Sequence, residues 1–108
     1  MNLVNIKSEQ FESLIAQNQI MFLDFWAPWC APCVAFAKVY ESVATLYPDI
    51  LFAKLNMDES PALAESLEIR SIPHLLVIKN SVVIYSESGS MPVSRLKELV
   101  EQAQIVIV

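Results

Sequence analysis

The chain has 108 residues, of which 55% are hydrophobic and 18% charged, with a formal net charge of −5. That length fits a single domain over residues 1–108, and that composition excludes a disordered chain. An acidic balance without clustered Lys and Arg excludes nucleic acid as a main partner, because phosphate binding needs such clusters.

Leu3 to Ile6 reads as a short edge strand. Ser8 is placed to cap a helix, with Glu9 and Glu12 in its first turn, where the dipole favours acidic groups. Phe11, Leu14 and Ile15 continue it on one face to about Asn18. Ile20 to Trp26 (IMFLDFW) is almost wholly apolar, the pattern of a strand buried on both faces. Beyond it, Cys33, Phe36, Ala37, Tyr40, Val43, Ala44 and Tyr47 share a helical stripe that stops at Pro48.

Ile50 to Asn56 is the next buried strand, and Ser60-Pro61 opens a helix that turns Leu63 and Leu67 inward. HLLVIK and VVIYS are strands joined as a hairpin across Asn80-Ser81. A last amphipathic helix begins near Pro92 and presents Leu96, Leu99, Val100 and Ala103. The apolar tail QIVIV either extends this helix or forms a sticky strand that promotes self-association. Strands alternating with helices predict an α/β fold, with a central mixed sheet covered by helices on both faces.

No basic segment followed by an apolar one opens the chain, and its longest apolar run is too short to cross a bilayer. The expectation is a soluble, cytoplasmic protein without a membrane partner. In a reducing compartment a permanent disulfide is disfavoured, and the two cysteines, Cys30 and Cys33, would close only a tiny loop. An inert buried pair is one alternative. A metal site is another, but two thiols without a second pair or a suitable histidine do not complete four ligands.

Redox chemistry suits the spacing better. Cys30 falls at a helix start, where unpaired N–H groups and the dipole favour a thiolate, whereas Cys33 lies one turn inside, on the apolar stripe. One thiol then attacks a partner disulfide and the other resolves the mixed disulfide.

DFWAPWCAPC, AKLNMDE, IRSIPHLLVIKN and SGS resemble the thioredoxin family in order and spacing, across essentially the whole chain. The resemblance implies the thioredoxin fold and a protein-disulfide reductase with Cys30 as nucleophile and Cys33 as resolving thiol. It implies no bound cofactor, with electrons drawn from NADPH through thioredoxin reductase. Partners would be that reductase and disulfide-containing client proteins, met by a monomer. A thioredoxin-like binding module and an oxidase or isomerase are the competing readings.

By the same resemblance Pro73 is a cis-proline, and the backbone of Ile72 before it pairs with a substrate strand. Trp29, Ile72, Pro73 and Gly89 form an apolar docking rim, with Ala31 and Pro32 between the cysteines. Asp24, a carboxylate in a buried strand, should have a raised pKa or find a partner, and Lys54 in the neighbouring strand is that candidate. In the family this Asp/Lys pair lies beneath the active site, and the acid helps deprotonate the buried cysteine. Trp26 is expected to pack under the active-site helix.

Departures from the family pattern are Ala31 for glycine, which predicts a modest shift in potential, and Lys38 for a helix-kinking proline, which predicts a straighter helix. Ser81 replaces a hairpin glycine, implying strain or another turn. His74, the only histidine, either titrates near Cys30 or is a hydrogen-bonded strand residue.

Overall fold

The apolar run Ile20–Trp26 forms the central strand, β2, in the computed structural model, which describes residues 2–108. The remaining strands are β1 (Leu3–Asn5), β3 (Leu51–Asn56), β4 (His74–Lys79) and β5 (Val82–Ser88). They form one sheet in the order β1-β3-β2-β4-β5. β3 runs parallel to both β1 and β2, while β4 is antiparallel to β2 and β5. The helices are α1 (Phe11–Gln17), α2 (Ala31–Ala44), α3 (Pro61–Ser66) and α4 (Val93–Ile105). This is the thioredoxin fold, a mixed sheet with helices on both faces.

Alternation along the strands divides the core between the two faces. Phe22, Phe52, Leu75 and Val77 pack with Phe36, Tyr40, Val43 and Ala44 of α2 and with Leu96, Leu99, Val100 and Ala103 of α4. Met21, Leu23, Phe25, Ala53, Leu55, Leu76 and Ile78 meet Phe11, Leu14 and Ile15 of α1 and Leu63, Ala64 and Leu67 near α3. Stacked Phe22 and Phe52 rings, 4.9 Å apart, tie β2 to β3 under α2.

Some local signals resolve differently from their sequence reading. Ser8 starts a 3-10 turn (Ser8–Gln10) ahead of α1 instead of capping the helix, and the Gln10 side chain accepts from Lys7 N–H. Pro61 opens α3, but the Ser60 side chain makes no capping bond. The hairpin holds both Asn80 (φ 50°) and Ser81 (φ 66°) in the left-handed region, which is the two-residue geometry that matches strand twist. α4 ends at Ile105, where Val106 turns extended, and residues 106–108 belong to no helix or strand.

Candidate active site

Antiparallel pairing of β2 with β4 sets Phe25 opposite His74, so the end of β2 and the start of β4 emerge at the same end of the sheet. Cys30 and Ile72, 42 positions apart in sequence, meet there: Cys30 Sγ lies 3.7 Å from the Ile72 carbonyl oxygen. The Ile72–Pro73 peptide is cis, and the Gly89 amide donates to Pro73 O at 2.8 Å, binding a third segment to the same end. Gly89 has φ +107°, and nothing lies within 4 Å of where a Cβ would stand, so backbone conformation rather than space selects glycine.

Cys30 is the N-cap of α2, with Ala31 and Pro32 opening the helix. Its sulfur accepts a hydrogen bond from the Cys33 amide at 3.2 Å, one of the donors a helix start leaves without an internal partner. The two cysteines are disulfide-bonded, with Cα atoms 5.3 Å apart, so the structure is that of the oxidised form. Both are buried among Ala27, Trp26 and Ile72, Cys33 (2% exposed) only slightly more than Cys30 (6%). The asymmetry between them therefore comes mainly from helix position. α2 runs unbroken from Ala31 to Ala44, with Lys38 exposed on it.

The residues expected to form a docking rim differ in exposure. Trp29 is 70% exposed, Ile72 is half-buried, and Pro73 is buried. Both carboxylate oxygens of Asp58 accept from Trp29 Nε1, at 3.2 and 3.1 Å. Asp58 escaped the sequence reading as a site residue. Its signal was local: the Asn56 side chain accepts from Asp58 N–H at 3.0 Å, folding a short turn after β3 that delivers the carboxylate to the indole.

Asp24 is fully buried on the sheet face shared with Phe22, beneath α2. Neither of its carboxylate oxygens has a hydrogen-bond partner among the described residues. Burial raises its pKa from 3.8 to about 7, offset only in part by the Lys54 charge. Lys54 stands directly across from it in the β2–β3 register. Tyr40 of α2 donates to Ala53 O at 2.8 Å, and its pKa is pushed well up by burial, with the Asp24 charge adding to that.

His74 is a hydrogen-bonded strand residue, with Nε2 2.8 Å from Ser86 Oγ and its ring edge-on to Phe25. Alternation puts it with Leu76 and Ile78 on the α1/α3 face, away from the face that carries Asp24. Desolvation lowers its pKa, against the opposing charge of Glu87. Among the described residues no helix is long and apolar enough to cross a membrane.

The sequence model of the thioredoxin family matches residues 2–102. A thioredoxin of Haemophilus influenzae is 36% identical over 92% of this chain and 94% of its own length. The M-type chloroplastic thioredoxin of Chlamydomonas reinhardtii is 35% identical over 90% of this chain and 71% of its own. The oxidised thioredoxin of Plasmodium falciparum superposes with a TM-score of 0.82 at 33% identity, covering 93% of this chain and 96% of that one. Two sulfurs at a helix start carry the redox change themselves, so this chemistry needs no bound cofactor. The chain belongs to the thioredoxin family and is a thiol-disulfide oxidoreductase that reduces protein disulfides.

Proposed function

We propose that residues 1–108 act as a single monomeric domain in the cytoplasm, reduced by thioredoxin reductase at the expense of NADPH. The observation that carries the mechanism is Cys30 as helix cap, its sulfur already accepting the Cys33 amide beside an exposed Trp29. In the reduced protein the same N–H and the helix dipole favour a Cys30 thiolate. The thiolate attacks one sulfur of a client disulfide, and the client's other sulfur leaves as a thiolate and takes a proton. A client strand docks over Trp29, Ala31, Pro32, Ile72, Pro73 and Gly89, and the Ile72 backbone offers main-chain bonds that demand little of the client's sequence.

Cys33 resolves the mixed disulfide. Its thiol gives a proton to the Asp24 carboxylate, and its sulfur attacks Cys30 Sγ, releasing the second client thiol. Two electrons pass to the client, and the Cys30–Cys33 disulfide forms. A carboxylate with its pKa near neutrality is a stronger base than an ordinary aspartate and is still partly ionised at pH 7. Lys54 tunes this base.

Insulin reduction coupled to NADPH and thioredoxin reductase tests the proposal. Turnover should vanish in Cys30→Ser, and Cys33→Ser should accumulate mixed disulfides with clients. Full turnover by Cys30→Ser would overturn the assignment.

A further inference from the structure

On its own face of the sheet Lys54 has Asn5 across from it on β1 and two neighbours on β2. Asp24 lies directly across the β2–β3 pair, and Trp26 lies two residues further along β2, the diagonal position. Coulomb attraction would favour an ion pair with the carboxylate. The ammonium instead sits 5.0 Å from the centroid of the Trp26 ring, over its face. No Lys54–Asp24 ion pair forms among the described residues, and both Asp24 oxygens remain without a hydrogen bond. The one carboxylate lining the cleft beside Trp26 and Lys54, about 310 Å³ in volume, is Glu59, and it is already paired with Lys7 at 2.6 Å.

We propose that Trp26 is a positioning residue: its indole face holds the Lys54 ammonium off the Asp24 carboxylate, leaving that carboxylate unpaired to exchange a proton with Cys33. The quadrupole of an indole attracts a cation most when the cation is partly desolvated, as in this half-buried cleft. Tyr40, whose titration the Asp24 charge affects, is already committed to Ala53 O. β4 offers only Leu75 opposite Asp24. Burial sets most of the Asp24 shift, and Lys54 is the nearby charge that offsets it, so its position adjusts how the acid titrates. If it were freed to close on the carboxylate, an opposite charge at contact would lower the titration by about one unit or more.

The consequence for catalysis rests on reading Asp24 as the base for Cys33, and the test separates the two. Carboxyl-carbon NMR follows the Asp24 titration directly in the oxidised protein, and the pH–rate profile of insulin reduction follows its use. Trp26→Leu should move the Asp24 midpoint down by about one pH unit. Trp26→Phe, which keeps a weaker aromatic face, should move it less. In a Lys54→Met background the Trp26→Leu change should shift nothing.

An unmoved midpoint in Trp26→Leu would overturn the proposal. So would an equal downward shift in the Lys54→Met background, since that would assign the effect to water entering the vacated cleft. If Trp26→Leu does not fold, Trp26→Phe with and without Lys54→Met makes the same comparison. A midpoint that moves while the acid limb of the rate profile stays fixed supports the positioning role and removes Asp24 as the base. A limb that moves with the midpoint supports both.

Discussion

Trp29 is 70% exposed, yet its indole N–H is fixed by both oxygens of Asp58, so a large apolar surface is presented beside the dithiol in a set orientation. Asp58→Ala leaves the two sulfurs untouched and frees the ring. The expected result is a KM for a protein disulfide raised about threefold with kcat little changed, since an exposed charge-assisted bond is worth roughly 1 kcal/mol or less. Steady-state insulin reduction checks it, and an unchanged KM would remove Trp29 orientation from substrate binding. The cysteine pair was legible from its spacing at a helix start, and the buried, raised Asp24 because a carboxylate inside an apolar strand is conspicuous. Asp58 was not, because an exposed Asp in a polar turn looks like any other until the fold brings it to a residue 29 positions away. The resting place of Lys54 was equally hidden: its place in the neighbouring strand made it the candidate partner of Asp24, while the choice of indole over carboxylate depends on side-chain geometry.

At the scale of elements, periodicity placed the long segments well because burial on one or both faces writes itself into residue spacing. β2 and the four buried positions of α4 coincide with their sequence reading. The helix ends were harder, because caps arise from tertiary contacts. The C-terminus of α4 is closed by Lys79 from β4, whose buried ammonium donates to Ala103 O and Val106 O at 2.8 Å and to Gln104 O at 3.2 Å. A lysine at the end of a sheet strand carries no sequence mark of capping a helix 24 residues on. Lys79→Met should cost about 2 kcal/mol, because three carbonyls lose a charged donor at the negative end of the helix dipole. Urea unfolding should show the lower midpoint, and amide exchange should quicken first at residues 105–108. An unchanged midpoint would show that water caps α4 equally well.

The hairpin points in the opposite direction. Ser81 has φ 66°, a conformation costly for a residue with a Cβ. Ser81→Gly should stabilise the protein by roughly 0.5 kcal/mol, the relief of that cost being partly cancelled by the freer unfolded chain. A lower urea midpoint in this variant would contradict the turn assignment.

For the whole molecule, the buried carboxylate reverses the usual dependence of stability on pH. An aspartate with a depressed pKa stabilises the native state above its unfolded pKa. Asp24 is raised from 3.8 to about 7, so the folded protein binds the proton more tightly than the unfolded chain does. Its contribution is neutral below about pH 4, turns progressively unfavourable as pH rises toward 7, and is fully unfavourable above that. A shift of this size corresponds to roughly 4 kcal/mol at alkaline pH. His74 acts in the other sense: its lowered pKa makes the native state resist protonation, so stability from that group falls as pH drops below 6.5. Wild type alone would blend the two trends, but the difference between Asp24→Asn and wild type cancels the histidine. That difference should be near zero at pH 4 and grow to several kcal/mol in favour of the variant at pH 8, measured by urea unfolding of the oxidised proteins. A difference that stays flat with pH would mean that Asp24 titrates normally. On the proposed mechanism the same substitution should also slow resolution of the mixed disulfide, so the one variant reads out both the stability cost and the proton transfer assigned to this acid.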